Sequence, residues 1–207
     1  SRRARHEELR TQVVRLLRGE GAHAPYADVL RRFPGRWAGA RVPGVPHTPW
    51  QLLEHLRIAQ WDILEWSRDP AHESPAFPAG LWPDGDSPPS VPAWKQSVQA
   101  FLDDLDAMIA FVEDPAVDPT TSLPHTDGTS LLREALLLAD HNSYHLGQLV
   151  QIQRALAATR RKPAPVPAPA RARAARPPAR TPRGRWARIS SPASSAGARA
   201  ASPACRT

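Results

Sequence analysis

"LLLADHNSYHLGQLV", residues 136–150, decides how the chain is read. Leu136, Leu137, Leu138, Leu146, Leu149 and Val150 suit a buried helix, yet His141, Asn142 and His145 sit among them. Burying a polar group without a partner costs free energy, so these three residues need something to satisfy them. The histidines stand four residues apart, one helical turn, and so share a face. Two imidazoles at that spacing can reach one metal ion. The spacing also arises by chance, and two histidines at a partly exposed helix edge, each satisfied by a neighbour, explain it without a metal.

Outward from this stretch, the apolar period opens near Thr129 or Ser130 and runs to about Leu156. Its seam is Leu131, Ala135, Leu138, Asn142, His145, Leu149, Ile152 and Leu156, in helical steps of three and four. Three more helices follow from the same test. One spans about Arg5 to Arg18, with Leu9, Val13, Leu16 and Leu17 on one face and Gly19 as its stop, and "APYADVLRRF" continues it toward Phe33. A second starts at Thr48 as N-cap with Pro49 at the first helical position, and its seam reads Leu52, Leu56, Ala59, Ile63, Trp66. A third covers about 92–113, with Trp94, Val98, Phe101, Leu105, Met108 and Val112 inward. Between these two lies a long loop, 69–92, holding seven prolines. No stretch alternates with period two for long enough to make strands. The expected architecture is an all-α four-helix bundle over residues 1–157.

Composition changes at Ala158. Residues 158–207 are dominated by Ala, Pro, Arg and Ser and have no period, so they are expected to be a disordered basic tail. All 20 acidic residues lie between Glu7 and Asp140, whereas 12 of the 27 basic ones lie from Arg160 onward. The formal net charge of +7 therefore belongs to the tail, and the bundle is mildly acidic. The tail could meet phosphates non-specifically, but only Trp186 among its arginines offers a stacking group, so nucleic acid is not the expected partner. A passive solvated extension is the simpler reading. A third is GC-rich DNA translated in the wrong frame. The sole cysteine, Cys205, excludes an internal disulfide, and no apolar run spans a bilayer, which together favour a soluble cytoplasmic protein with no membrane partner.

The second helix alters how His141 and His145 are read. His55 in "PWQLLEHLRIAQWDILEW" flanks Leu52, Leu56 and Ala59, so it too points to the bundle interior or its rim. Neutral imidazoles bind Zn, Ni, Fe or Cu, and three of them leave positions open for water or substrate. The pattern is not HExxH: Asn142 follows His141, so the base of a metalloprotease is missing.

"TPWQLLEHLRIAQWDILEW" with "LLREALLLADHNSYHLGQLV" resembles the DinB family, also called DinB/YfiT-like metalloenzymes, over roughly residues 5–157. The resemblance implies a four-helix bundle holding one divalent ion (Zn, Ni, Fe or Mn) through His55, His141 and His145. It implies a small-molecule substrate and, by analogy with thiol-dependent S-transferases and hydrolases of the family, a low-molecular-weight thiol. A homodimer is a further expectation, and a metal-binding bundle without turnover is the rival reading.

Around this set, Asp62 lies seven residues after His55 and Glu134 seven before His141, each placed to steady an imidazole or act as a base, with a solvated helix face as the equal alternative. Gln148, three after His145, is placed to donate to a bound ligand. His47 and His125 precede helices and read first as loop or capping residues. His6, His23 and His72 read as surface residues. Trp82, in "FPAGLWPDG", is placed to cover the pocket. No nucleophile–base couple is evident, and Cys205 is a poor candidate for chemistry.

Overall fold

The computed structural model describes residues 2–160, with side chains described for 4–159. The 158–207 tail lies outside the described residues from 161 onward. Four long helices, α1 (Arg2–Leu17), α3 (Pro49–Arg68), α4 (Ala93–Glu113) and α5 (Leu131–Arg160), pack around one core, with a short α2 (Tyr26–Arg32) beside them. Neighbours follow the cyclic order α1, α4, α3, α5 and back to α1. Among the described residues the only β pairing is an isolated bridge between Ser122 and Ser130, and no helix is long and apolar enough to cross a membrane.

The start of α3 forms as its sequence dictates. Thr48 Oγ1 accepts from the Gln51 backbone N–H at 3.2 Å, and Gln51 Oε1 accepts from the Thr48 N–H at 3.0 Å. This capping box satisfies two otherwise orphaned donors and fixes the register of every residue that follows. Along α5 the expected seam is buried from Leu131 to Ile152, and the whole α4 seam is buried.

Four expectations need correcting. The segment after α1 does not continue it: Gly19, at φ 71°, ends the helix in a left-handed conformation, and α2 is a separate element. On α1 itself, Leu16 faces solvent, while Val13, Val14, Leu17 and Arg10 are buried. The Arg10 guanidinium donates to the carbonyls of Val112 and Val117, supplying a cation at the C-terminal end of α4, whose last turn has none of its own. On α3 the buried line leaves the expected seam after Ala59 and passes through Gln60, Leu64 and Ser67, so Ile63 and Trp66 are half-buried. α5 also continues to Arg160, beyond the end of its apolar seam.

The loop between α3 and α4 is tied down at several points. His72 Nε2 meets Asp62 Oδ1 at 2.8 Å. The Leu81 carbonyl accepts from His55, and the Asp86 carbonyl accepts from Thr48 Oγ1 at 2.7 Å. Arg41 pairs with the Asp86 carboxylate at 2.9 Å. The loop therefore lies along α3 and over its histidine.

Candidate metal centre

His55 projects from α3, and His141 and His145 project from successive turns of α5, toward one another. Their ring centroids form a near-equilateral triangle: 4.9 Å for His55–His141, 4.7 Å for His55–His145 and 4.7 Å for His141–His145. One ligating nitrogen from each lies within 4.8 Å of the other two.

Hydrogen bonds settle which nitrogens face inward. His55 Nδ1 donates to the Leu81 carbonyl at 2.8 Å, which leaves the Nε2 lone pair of the neutral ring free. His145 Nδ1 donates to Gln148 Oε1 at 2.9 Å, with the same consequence for its own Nε2. His141 Nε2 stands 3.0 Å from His55 Nε2. Burial is the main cause that lowers the pKa of all three rings. For His141 it combines with the neighbouring His145 and His55 charges to bring the value to about 4. The cluster is thus neutral near pH 7, the form in which imidazole binds metal.

The donor set fits a divalent ion. An ion held about 2.0–2.1 Å from each nitrogen in tetrahedral geometry needs roughly 3.4 Å between donors. The three donor atoms lie within 4.8 Å of one another, and the His55–His141 separation of 3.0 Å is close to what the ion needs. His141 Nδ1 is buried without a hydrogen-bond partner, and the inward His141 Nε2 and His55 Nε2 meet each other, a contact that a bound ion would replace.

The centre opens on a cavity of about 480 Å³. Ala59, Ile63, Leu81 and Leu137 form much of its apolar wall, with Phe77 and Tyr144 as exposed aromatic edges and Asp62 and Asp140 as its carboxylates. Trp82 covers one face of His55. Its ring lies flat on His55, 3.9 Å away with 1° between planes, and His47 stacks on the opposite side at 4.1 Å.

The remaining candidates separate clearly. Asp62 lines the cavity, but its hydrogen bond goes to His72 and to none of the three imidazoles. Glu134 is buried, pairs with Arg133 at 2.6 Å and lines a different depression two turns away. Gln148 holds His145 rather than facing the cavity. His125 Nε2 donates to the Trp66 carbonyl at 2.7 Å, which anchors the loop before α5.

His72 is not a surface residue: only 8% of its side chain is exposed, against Trp61 and Asp62. His23 also has partners, Ser143 Oγ at 2.9 Å and the Ala24 carbonyl. His6 is only partly exposed, 3.8 Å from the Asp118 carboxylate. Sequence reasoning missed the Leu81 carbonyl and Gln60, for which no local pattern exists. It also missed Tyr144, whose position beside His145 was the available signal.

The amide nitrogen of the fully buried Asn142, which made the opening stretch awkward, is satisfied by a relay through α3 to α4. Its Nδ2 donates to Gln60 Oε1 at 2.8 Å, and Gln60 Nε2 donates to the Phe101 carbonyl at 2.5 Å.

A helical bundle with three neutral imidazoles converging from α3 and α5 defines a class, and the comparison with protein families agrees. The DinB superfamily model matches residues 4–149, taking in all three histidines, so the chain belongs to the DinB superfamily. No curated protein and no solved structure matches it.

Proposed function

We propose that the chain holds one divalent metal ion through His55, His141 and His145 and uses it on a small molecule, in a transfer or hydrolysis reaction with a low-molecular-weight thiol. The observation that carries this reading is the triangle of neutral imidazoles, two of them fixed through Nδ1 so that Nε2 faces inward, at the mouth of a cavity. The bound ion would supply a Lewis acid able to lower the pKa of a water or thiol.

The chain's own residues do the rest. Leu81 and Gln148 orient the donor rings. Trp82 shields one side of the centre from water. Tyr144 and Phe77 grip the apolar part of a substrate at the cavity edge. Asp62, steadied through Oδ1 by His72, presents its other oxygen as a proton acceptor.

Metal analysis of the purified full chain after loading with Zn²⁺ or Ni²⁺ tests this. One ion per chain is expected in the wild type, and a large loss in His145→Ala and His145→Gln, with helical content checked by circular dichroism. A full complement in both variants would remove the reading. A loaded protein that leaves thiol conjugation and amide hydrolysis assays blank would instead favour metal binding without turnover.

A further inference from the structure

A depression of about 800 Å³ shares no residue with the histidine centre. It lies between α2, the turn that follows it and the start of α4. Its volume is that of a small-molecule site. Leu30, Phe33, Trp94 and Val98 make the floor, with the Phe33 and Trp94 rings stacked at 4.8 Å. The Trp94 Nε1–H donates to the Leu30 carbonyl at 3.4 Å, so the indole's only polar group is turned away from a ligand. Val91, 99% exposed, stands at the edge as an apolar side chain with nothing covering it.

The rim has one sign of charge. Arg31, Arg36 and Lys95 line it, and no acidic residue does. Arg31 and Lys95 have no ion pair or side-chain hydrogen bond among the described residues, whereas the adjacent Arg32 pairs with Asp28. The Arg36 guanidinium lies over the Trp37 ring, 5.1 Å from its centroid. α4, 21 residues long, begins here behind Pro92 with no side-chain cap, and its first turn adds positive potential to that of the cations. Unpaired cations around an apolar floor complement a molecule with an apolar body and a single anionic head.

We propose that this cavity is a binding site for a soluble amphiphilic carboxylate, its apolar body on Phe33 and Trp94 and its head between Arg31 and Lys95. The site is independent of the metal.

Calorimetric titration of the full chain with monomeric sodium dodecanoate tests it. Saturable one-to-one binding is expected, at least tenfold tighter than for dodecanol and undetectable for dodecyltrimethylammonium. The double variant Arg31→Gln/Lys95→Gln, altered only at exposed positions, should bind dodecanoate at least tenfold more weakly. Binding should survive a chelator unchanged.

Equal affinity for dodecanol, or an unchanged double variant, would overturn the proposal. Loss of binding on chelation would also overturn it, by placing the carboxylate at the histidine centre. Flotation with phosphatidylglycerol vesicles that is abolished in the double variant, with no free dodecanoate bound, would replace it with a membrane surface.

Discussion

His55 Nδ1 donates to the Leu81 carbonyl across a 2.8 Å hydrogen bond, so a main-chain group of the long loop sets the tautomer of a histidine on α3. Gln148 does the same for His145 from within α5. The two supports differ in that one is local and can be removed by a single substitution. Gln148→Leu should therefore weaken metal binding by about 10- to 100-fold while leaving stoichiometry at saturation intact. Competition with a chromophoric chelator measures this, and an unchanged affinity would mean that Gln148 does not orient the ring.

The metal-free protein should lose stability in mildly acid solution. In the folded chain the His141 pKa is lowered to about 4, and those of His55 and His145 are also lowered. In the unfolded chain all three sit near roughly 6.5. As the pH falls through that window, the unfolded state takes up protons first. Folded stability is thus fully present above about pH 6.5 and drains away toward about pH 4. Urea midpoints of chelator-treated protein should fall between about pH 7 and 5, and fall less steeply in His141→Gln. An identical slope in the variant would contradict the assignment.

Asn142→Leu removes the donor to Gln60 Oε1 and strands a buried carbonyl oxygen. A cost of about 1–3 kcal/mol is expected. The double variant Gln60→Leu/Asn142→Leu should regain part of it, because both halves of the polar pair are then gone. Urea denaturation of the four species in a double-mutant cycle would report the coupling, and strict additivity would argue that the two amides do not meet.

Trp82 lies 3.9 Å from His55, close enough for a paramagnetic ion at the histidines to quench its emission. Titrating Cu²⁺ or Ni²⁺ into wild type should lower tryptophan fluorescence, and Trp82→Phe should remove a large share of that change although six other tryptophans remain. Equal quenching in the variant would place the ion elsewhere.

Much of this structure was legible in the amino-acid order because the decisive signals are local. Thr48 and Pro49 announce the start of α3 through capping chemistry that involves only the next few residues. The α4 and α5 seams repeat at helical spacing, so Phe101 and Leu138 are placed inward by period alone. The one-turn spacing of His141 and His145 puts them on one face whatever else the chain does. What could not be read depends on segments far apart in sequence. Leu81 and His55 are 26 residues apart, and Gln60 and Asn142 are 82 apart. The same holds for Arg10, whose burial on α1 depends on carbonyls at the far end of α4. His72 followed no periodic pattern, and only the return of the loop onto α3 brings it to Asp62. The drift of the buried line on α3 from Ile63 to Leu64 has a further cause: one flank of that helix faces the cavity and the loop instead of the core.

The amide chain from Phe101 through Gln60 to Asn142 also acts as a gauge of axial alignment. It joins α4, α3 and α5 at one level, and Asn142 directly follows His141 on the chain. Hydrophobic seams tolerate sliding, since one leucine replaces another after each turn. A directional bond between two amides does not, and a slip of one turn would displace His141 from His55 by about 5.4 Å. The polar residue that looked misplaced among leucines therefore helps to specify the meshing of the two histidine-bearing helices, and a DinB bundle with leucine at both amide positions should lose the alignment of its three imidazoles before it loses its fold.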